Sequence, residues 1–249
     1  MGQIGKDTFV CVDCETTGLD VDADAIIEVA VVKFTFDGIV DKYETLIDPQ
    51  RPIPASSTEI HHITDDMVKG KPKIKEVIEG LLDFIGSFPI MGHGVKFDID
   101  LLRRAAERSE IPCYIGKNTV IDTLRLGRLY GESPVNSLEK LREHFNIAAE
   151  GAHRAMSDVV VNVEVFKRLV RQFDTTEKML KRLEKPIQLR AMPLGKHKGR
   201  PFQEIPIQYL QWAANKDFDM DLLFSIRSEI KRRKKGNSFS QAGNPFMGL

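Results

Sequence analysis

Cysteine is scarce in this chain: three among 249 residues cannot build a disulfide framework. Cys11 and Cys14 have the C-x-x-C spacing of a zinc or redox pair. Their surroundings read as a strand, however, and three steps along a strand put the two thiols on opposite faces, which leaves core packing as their role. Long apolar runs are missing too. Nothing approaches the roughly 20 residues needed to cross a bilayer, and residues 1–7 lack the apolar block of a secretory signal. A cytoplasmic protein without membrane contact is the expectation. Internal repeats are absent, and so is net charge, because 36 Lys and Arg balance 36 Asp and Glu. That zero hides an asymmetry. Residues 185–249 hold 12 basic and 5 acidic side chains, whereas residues 1–184 hold 24 and 31. An acidic body with a basic tail suits a protein whose carboxylates hold metal while another segment attracts a polyanion.

What is present starts with Phe9-Val10-Cys11-Val12-Asp13-Cys14-Glu15-Thr16-Thr17-Gly18. Its first half reads as a strand and its end as a turn. Side chains two apart on a strand share a face, so Asp13 and Glu15 stand side by side. Two neighbouring carboxylates repel unless a cation lies between them, and an oxygen-only pair favours Mg²⁺ or Mn²⁺. On its own a D-x-E pair at a strand end is ordinary, so the rest of the chain has to carry the argument.

A second strand over residues 25–34, a turn at Asp37-Gly38 and a third strand over 42–47 predict an antiparallel meander. Pro49, Pro52 and Pro54 then interrupt regular structure, and one helical turn is expected at 56–60. Helical spacing returns over 74–88 through Val77, Ile78, Leu81, Leu82 and Ile85. A short strand at 89–92 leads into a helix ending near Ser109, with further helices at 123–130 and 137–145. A long apolar helix follows Asp158 through Val160, Val163, Phe166, Leu169 and Val170. This order predicts an α/β fold, a mixed sheet with helices on its faces. The predicted organisation is a domain over 1–172, a helical linker over 173–187, a small basic α+β module over 188–235 and a disordered tail over 236–249.

Three acid-bearing patterns lie far apart in this chain. Asp13-x-Glu15 ends the first strand, His93-x-x-x-Phe97-Asp98 opens a helix, and His153-Arg154-Ala155-x-x-Asp158 opens the last long helix. Singly they are unremarkable, since a carboxylate in a first helical turn is favoured by the helix dipole. Together with Ile60-His61-His62-Ile63-Thr64 and Asp122-Thr123-Leu124, they resemble the DEDDh 3′→5′ exonucleases, the superfamily of the proofreading epsilon subunit of bacterial DNA polymerase III. The resemblance runs in order over residues 7–172.

It implies a ribonuclease H-like fold with a five-stranded mixed sheet flanked by helices. It also implies two divalent cations, with Asp13 bridging both, Glu15 and Asp158 completing the first, and Asp98 supporting the second, partly through water. Two dications about 4 Å apart would clamp the attacking and leaving oxygens of a phosphodiester. His153 is the candidate general base. Five residues before Asp158 it would fall on another face of a continuous helix, so it is expected on the loop entering that helix. Substrate contacts are expected from Thr16, Thr17 and Gly18, and from Leu19 and Phe97 by stacking or wedging, with core packing as the equal alternative for both. The resemblance adds His61 near the 3′ end and His93 at the edge of the site. Where relatives commonly carry Asn, this chain has Gly94, which removes one side-chain contact.

The run Met192-Pro193-Leu194-Gly195-Lys196-His197-Lys198-Gly199 resembles a small C-terminal module of bacterial exonuclease X-like proteins. Residues 190–202 have the texture of strand, basic turn and strand. The turn is not a P-loop, because the Gly-Lys-Ser/Thr ending is absent, but it suits contact with a phosphate backbone. Tyr209 and Trp212, on one helix face, read as core of this module. The expected function is metal-dependent removal of nucleoside 5′-monophosphates from DNA 3′ ends, in proofreading or repair, with DNA ends and a DNA polymerase as partners. Two alternatives stay open at this point: an exoribonuclease trimming RNA, and a non-catalytic nucleic-acid-binding subunit.

Overall fold

The computed structural model of the chain describes residues 3–133, 135–148 and 154–242, with side chains as far as Lys235. β1 (Phe9–Thr16) is apolar on both faces through Val12, which suits a strand with neighbours on every side. It lies at the centre of a five-stranded sheet of order β3-β2-β1-β4-β5. β2 (Ile26–Thr35) and β3 (Gly38–Leu46) complete the antiparallel meander, while β4 (Ile90–Gly92) and β5 (Val120–Asp122) run parallel to β1. This mixed sheet is the expected fold class.

Helices supply the two layers. α1 (Ala55–His61), α2 (Asp65–Val68) and α3 (Ile74–Ile85) precede β4, and α4 (Lys96–Arg108) follows it. α5 (Thr123–Tyr130), α6 (Leu138–His144), α7 (Ala155–Leu169) and α8 (Thr176–Leu183) come after β5. Alternation along β1 sorts its side chains. Val10, Val12 and Cys14 enter a core with Val77, Ile78, Leu81 and Ile85 of α3 and Leu101 and Leu102 of α4. Phe9 and Cys11 face the opposite way, onto α7: the Phe9 ring meets Phe166 at 5.2 Å, and the Cys11 thiol donates to the Val159 carbonyl at 3.8 Å. Asp13 and Glu15 share this second face by the same alternation. α7 lies against it with Ala155, Val159, Asn162, Phe166 and Leu169 buried, a stripe at helical spacing.

The chain divides into two compact units, Met1–Arg182 and Leu183–Leu249. The second has its own core of Met192, Phe202, Ile205, Leu210, Ala213, Leu222 and Ile226, built by α9 (Ile207–Ala213) and α10 (Met220–Ala242). Several expectations need correction. The helical turn expected at 56–60 is a seven-residue helix, and α2 is additional. The strand, turn and strand over 190–202 reduce to one bridge, Ala191 to Pro201, closed over a 3₁₀ turn at Gly195–His197. Pro193 and Pro201 have no N–H to donate to a ladder, and Gly195 and Gly199 take left-handed φ values of 70° and 82°. The tail expected to be disordered from residue 236 is helical to Ala242. Once a helix is nucleated each further residue adds a hydrogen bond, and Glu229 pairs with Arg232 and Arg233 at the i+3 and i+4 positions just before it. Residues 243–249 lie outside the described residues.

Candidate active site

The shared face of β1 and the first turn of α7 bring three acids together. Asp13, Glu15 and Asp158 each offer a carboxylate oxygen within 4.8 Å of the other two, the one such cluster of acids, histidines and cysteines among the described residues. Burial pushes Asp13 well above the carboxylate range, and the charges of Asp98, Glu15, Asp158 and Glu28 push it further. Glu15 is raised to about 7 by burial, then by Asp158, Glu28 and Asp98, against the pull of Arg154. Carboxylates held this close are partly protonated until something positive joins them.

Asp98 lies outside the 4.8 Å group but close enough to act on it. From the first turn of α4 it accepts the Cys14 backbone N–H at 3.0 Å, a bond that ties α4 to β1 between the two strand acids. Burial raises it to about 7, although that N–H favours its charged form. The structure therefore brings three of the four expected acids within one coordination sphere and places the fourth beside it. His153 lies outside the described residues.

Glu28 was not anticipated. It stands directly opposite Glu15 in the β1–β2 register, an arrangement that is unfavourable for like charges, and it is fully buried. Arg154 answers that charge with a forked contact, its Nε 3.1 Å from both carboxylate oxygens and its Nη2 also bonded, and the Ala155 N–H donates to Glu28 at 3.0 Å. Glu28 thus caps the start of α7, one turn ahead of Asp158. A charged residue in the apolar run Ile26-Ile27-Glu28-Val29-Ala30-Val31-Val32 was the signal available in the sequence.

A second polar group lies behind the acids. The Thr123 hydroxyl sits 2.7 Å from Asn162 Oδ1, 3.1 Å from the Gly92 carbonyl and 3.1 Å from His93 Nδ1, and His93 Nε2 is 2.8 Å from the Asn136 carbonyl. His93 is therefore tied into the β4–α5 region, and burial lowers its pKa to about 4. Gly94 takes a φ of 75° and donates its N–H to Asp122 at 2.9 Å, and the space where its side chain would lie is open.

The expected substrate contacts divide. The Thr17 hydroxyl donates to Asp24 and accepts the Ala25 N–H, and the Thr16 hydroxyl donates to the Gly18 carbonyl, so both serve the loop itself. A side chain at Gly18 would run into the Asp24 carboxylate. Phe97 is half-buried and packs on the α3–α4 core. Leu19, by contrast, is 87% exposed at the loop tip. The buried His61 accepts the Ile63 N–H at Nδ1, and its Nε2 has no hydrogen-bond partner among the described residues.

All the gathered donors are carboxylate oxygens, a set that fits hard dications such as Mg²⁺ or Mn²⁺. A sheet of this order with an acid pair at the end of its central strand is a ribonuclease H-like fold. E. coli Exonuclease I in complex with a dA16 oligonucleotide shares it, with a TM-score of 0.62 at 20% identity over 72% of this chain and 43% of that one. Residues 10–166 match the RNase T-type family model described as exonuclease. DNA polymerase III PolC-type of Bacillus subtilis (strain 168) is 36% identical over 174 residues, and that of Thermotoga maritima 37% over 166. Those matches cover 70% and 67% of this chain but only 12% of each polymerase. Exonuclease X in complex with 5′ overhanging duplex DNA is 26% identical, with a TM-score of 0.56 over 71% of this chain and 99% of that one. The chain belongs to the DEDDh exonuclease superfamily. Residues 179–225 match a second family, described as a putative quorum-sensing-regulated virulence factor.

Proposed function

We propose that the protein is a metal-dependent 3′→5′ exonuclease that removes nucleoside 5′-monophosphates from DNA ends. The observation that carries this reading is the convergence of Asp13, Glu15 and Asp158 within 4.8 Å in a chain of the exonuclease family. These three, with Asp98 beside them, would hold two divalent cations, Mg²⁺ or Mn²⁺. When bound, the pair supplies the positive charge that a scissile phosphate needs as negative charge builds on its oxygens. The chain's own residues do the rest. Asp13, central to the cluster, fixes the spacing of the acids around it. His153 takes the proton of the attacking water as general base, a contribution of about 10²–10⁴-fold for such groups. Leu19, exposed at the tip of the loop after β1, meets the terminal bases, and His61 lies toward the 3′ end.

DNA as substrate draws support from the relatives, PolC-type polymerases and an Exonuclease X bound to duplex DNA. Proofreading with a polymerase partner, or repair, is the setting. Asp13→Ala should abolish Mg²⁺-dependent release of mononucleotides while the far-UV circular dichroism spectrum stays unchanged. Appreciable residual turnover would remove Asp13 from the centre of the mechanism. Matched end-labelled DNA and RNA oligonucleotides separate the substrates, and turnover of RNA alone would overturn the DNA assignment.

A further inference from the structure

The second unit carries a surface that the nuclease reading does not use. Its turn from Met192 to Arg200 is closed by the Met192 N–H on the Arg200 carbonyl at 2.9 Å and the Gly199 N–H on the Met192 carbonyl at 2.8 Å. Lys196, Lys198 and Arg200 all project from this turn into solvent, and among the described residues no carboxylate pairs with any of them. Beneath them His197 is buried, and both of its ring nitrogens lack a hydrogen-bond partner among the described residues. Burial, Lys196 and Arg200 hold its pKa below the ordinary imidazole value.

The same imidazole starts an aromatic ladder. His197 meets Tyr209 edge to face at 4.4 Å, and Tyr209 lies 5.3 Å from Trp212 one turn further along α9. Trp212 was expected in the core, and the structure corrects this. Tyr209 packs against the core, but Trp212 is 52% exposed, because two residues three apart share a helix face while only the first reaches the interior. Lys216 stands 5.0 Å over the indole. An exposed indole with a cation above it, joined through a packed ladder to a turn of three unpaired cations, combines the two parts of a single-strand binding surface. Cations take the phosphates, and a ring face takes a base whatever its identity.

We infer that the second unit is a binding site for a single-stranded polynucleotide, with Lys196, Lys198 and Arg200 on the backbone and Trp212 as the stacking platform. The site concerns this unit alone and stands whether or not the first unit trims ends. Trp212 is the sole tryptophan of the chain, so its emission reads the site directly. The full-length protein, kept in EDTA so that no hydrolysis occurs, is titrated with an oligothymidylate. Saturable quenching is expected, with log affinity against log salt falling at a slope of about −2, roughly 0.7 for each of three phosphates. The triple variant Lys196→Ala, Lys198→Ala, Arg200→Ala should keep its unliganded emission spectrum and bind at least about tenfold more weakly with most of the slope lost. A duplex of the same length should quench less, since its bases are already stacked. Absence of quenching, or quenching unaltered in the triple variant, would overturn the inference. So would equal quenching by inorganic polyphosphate, or quenching by anionic lipid vesicles and not by the oligonucleotide. Because the assay contains neither metal nor turnover, none of these outcomes bears on the Asp13→Ala test.

Discussion

Glu15 and Glu28 face each other across two strands, and the difference between them is set by what each touches. Glu28 has Arg154 and the Ala155 N–H, whereas Glu15 has Asp13 and Asp158 within coordination distance and is raised to about 7. One acid of the opposed pair is neutralised by the protein, and the other remains a donor for a cation. Replacing Glu28 by Ala leaves the Ala155 N–H without its partner and Arg154 without its counter-charge. Hydrogen bonds to charged groups contribute about 1.5–3 kcal/mol, and the Arg154 side chain is 38% exposed, so a loss of about 2 kcal/mol is expected in urea denaturation. The same change loosens the turn that presents Asp158, and Mn²⁺ affinity should fall with stability. Stability lost with Mn²⁺ affinity intact would show that Glu28 braces the fold without positioning the acid.

Elements reach the site through their ends. β1 contributes its last residues, and α4 and α7 their first turns, where free N–H groups and the helix dipole favour acids. Behind them the group formed by Asn162, Thr123 and His93 joins α7 to β4 and α5. The Asn136 carbonyl can only accept, so His93 carries a proton on Nε2. Its folded pKa of about 4 lies below the ordinary 6.5. The unfolded chain therefore binds more protons between those values, and the stabilising contribution of His93 is complete above pH 6.5 and lost as pH falls toward 4. Nitrogen-15 shifts of His93 should show the neutral Nε2–H tautomer down to about pH 5. Titration near 6.5 would mean that the imidazole is open to solvent and that the Asn136 bond does not persist.

For the whole molecule, the two units keep separate cores. Phe202 is 2% exposed in the smaller one, and Phe→Ala in a core costs about 3–5 kcal/mol, enough to unfold a unit of this size. Phe202→Ala should shift Trp212 emission to the red at low denaturant while the Mg²⁺-dependent activity of the first unit on short oligonucleotides persists. Loss of both together would mean that the units fold as one.

Much of this was legible from residue order. The alternation along β1 placed Asp13 and Glu15 side by side, the periodicity of 123–130 is the observed α5, and the spaced acid patterns pointed to the exonuclease family. Other features were not legible, for a common reason. Periodicity tells which side chains share a face, not what stands opposite that face. Pairing Glu15 with Glu28 and drawing His93 into a braced group both depend on partners distant in the chain. The sequence by itself determined which acids could meet. Only the tertiary structure decided that three share one coordination sphere while Asp98 is held beside them by a backbone N–H, because distances under 5 Å are set by packing between elements and not by spacing within them.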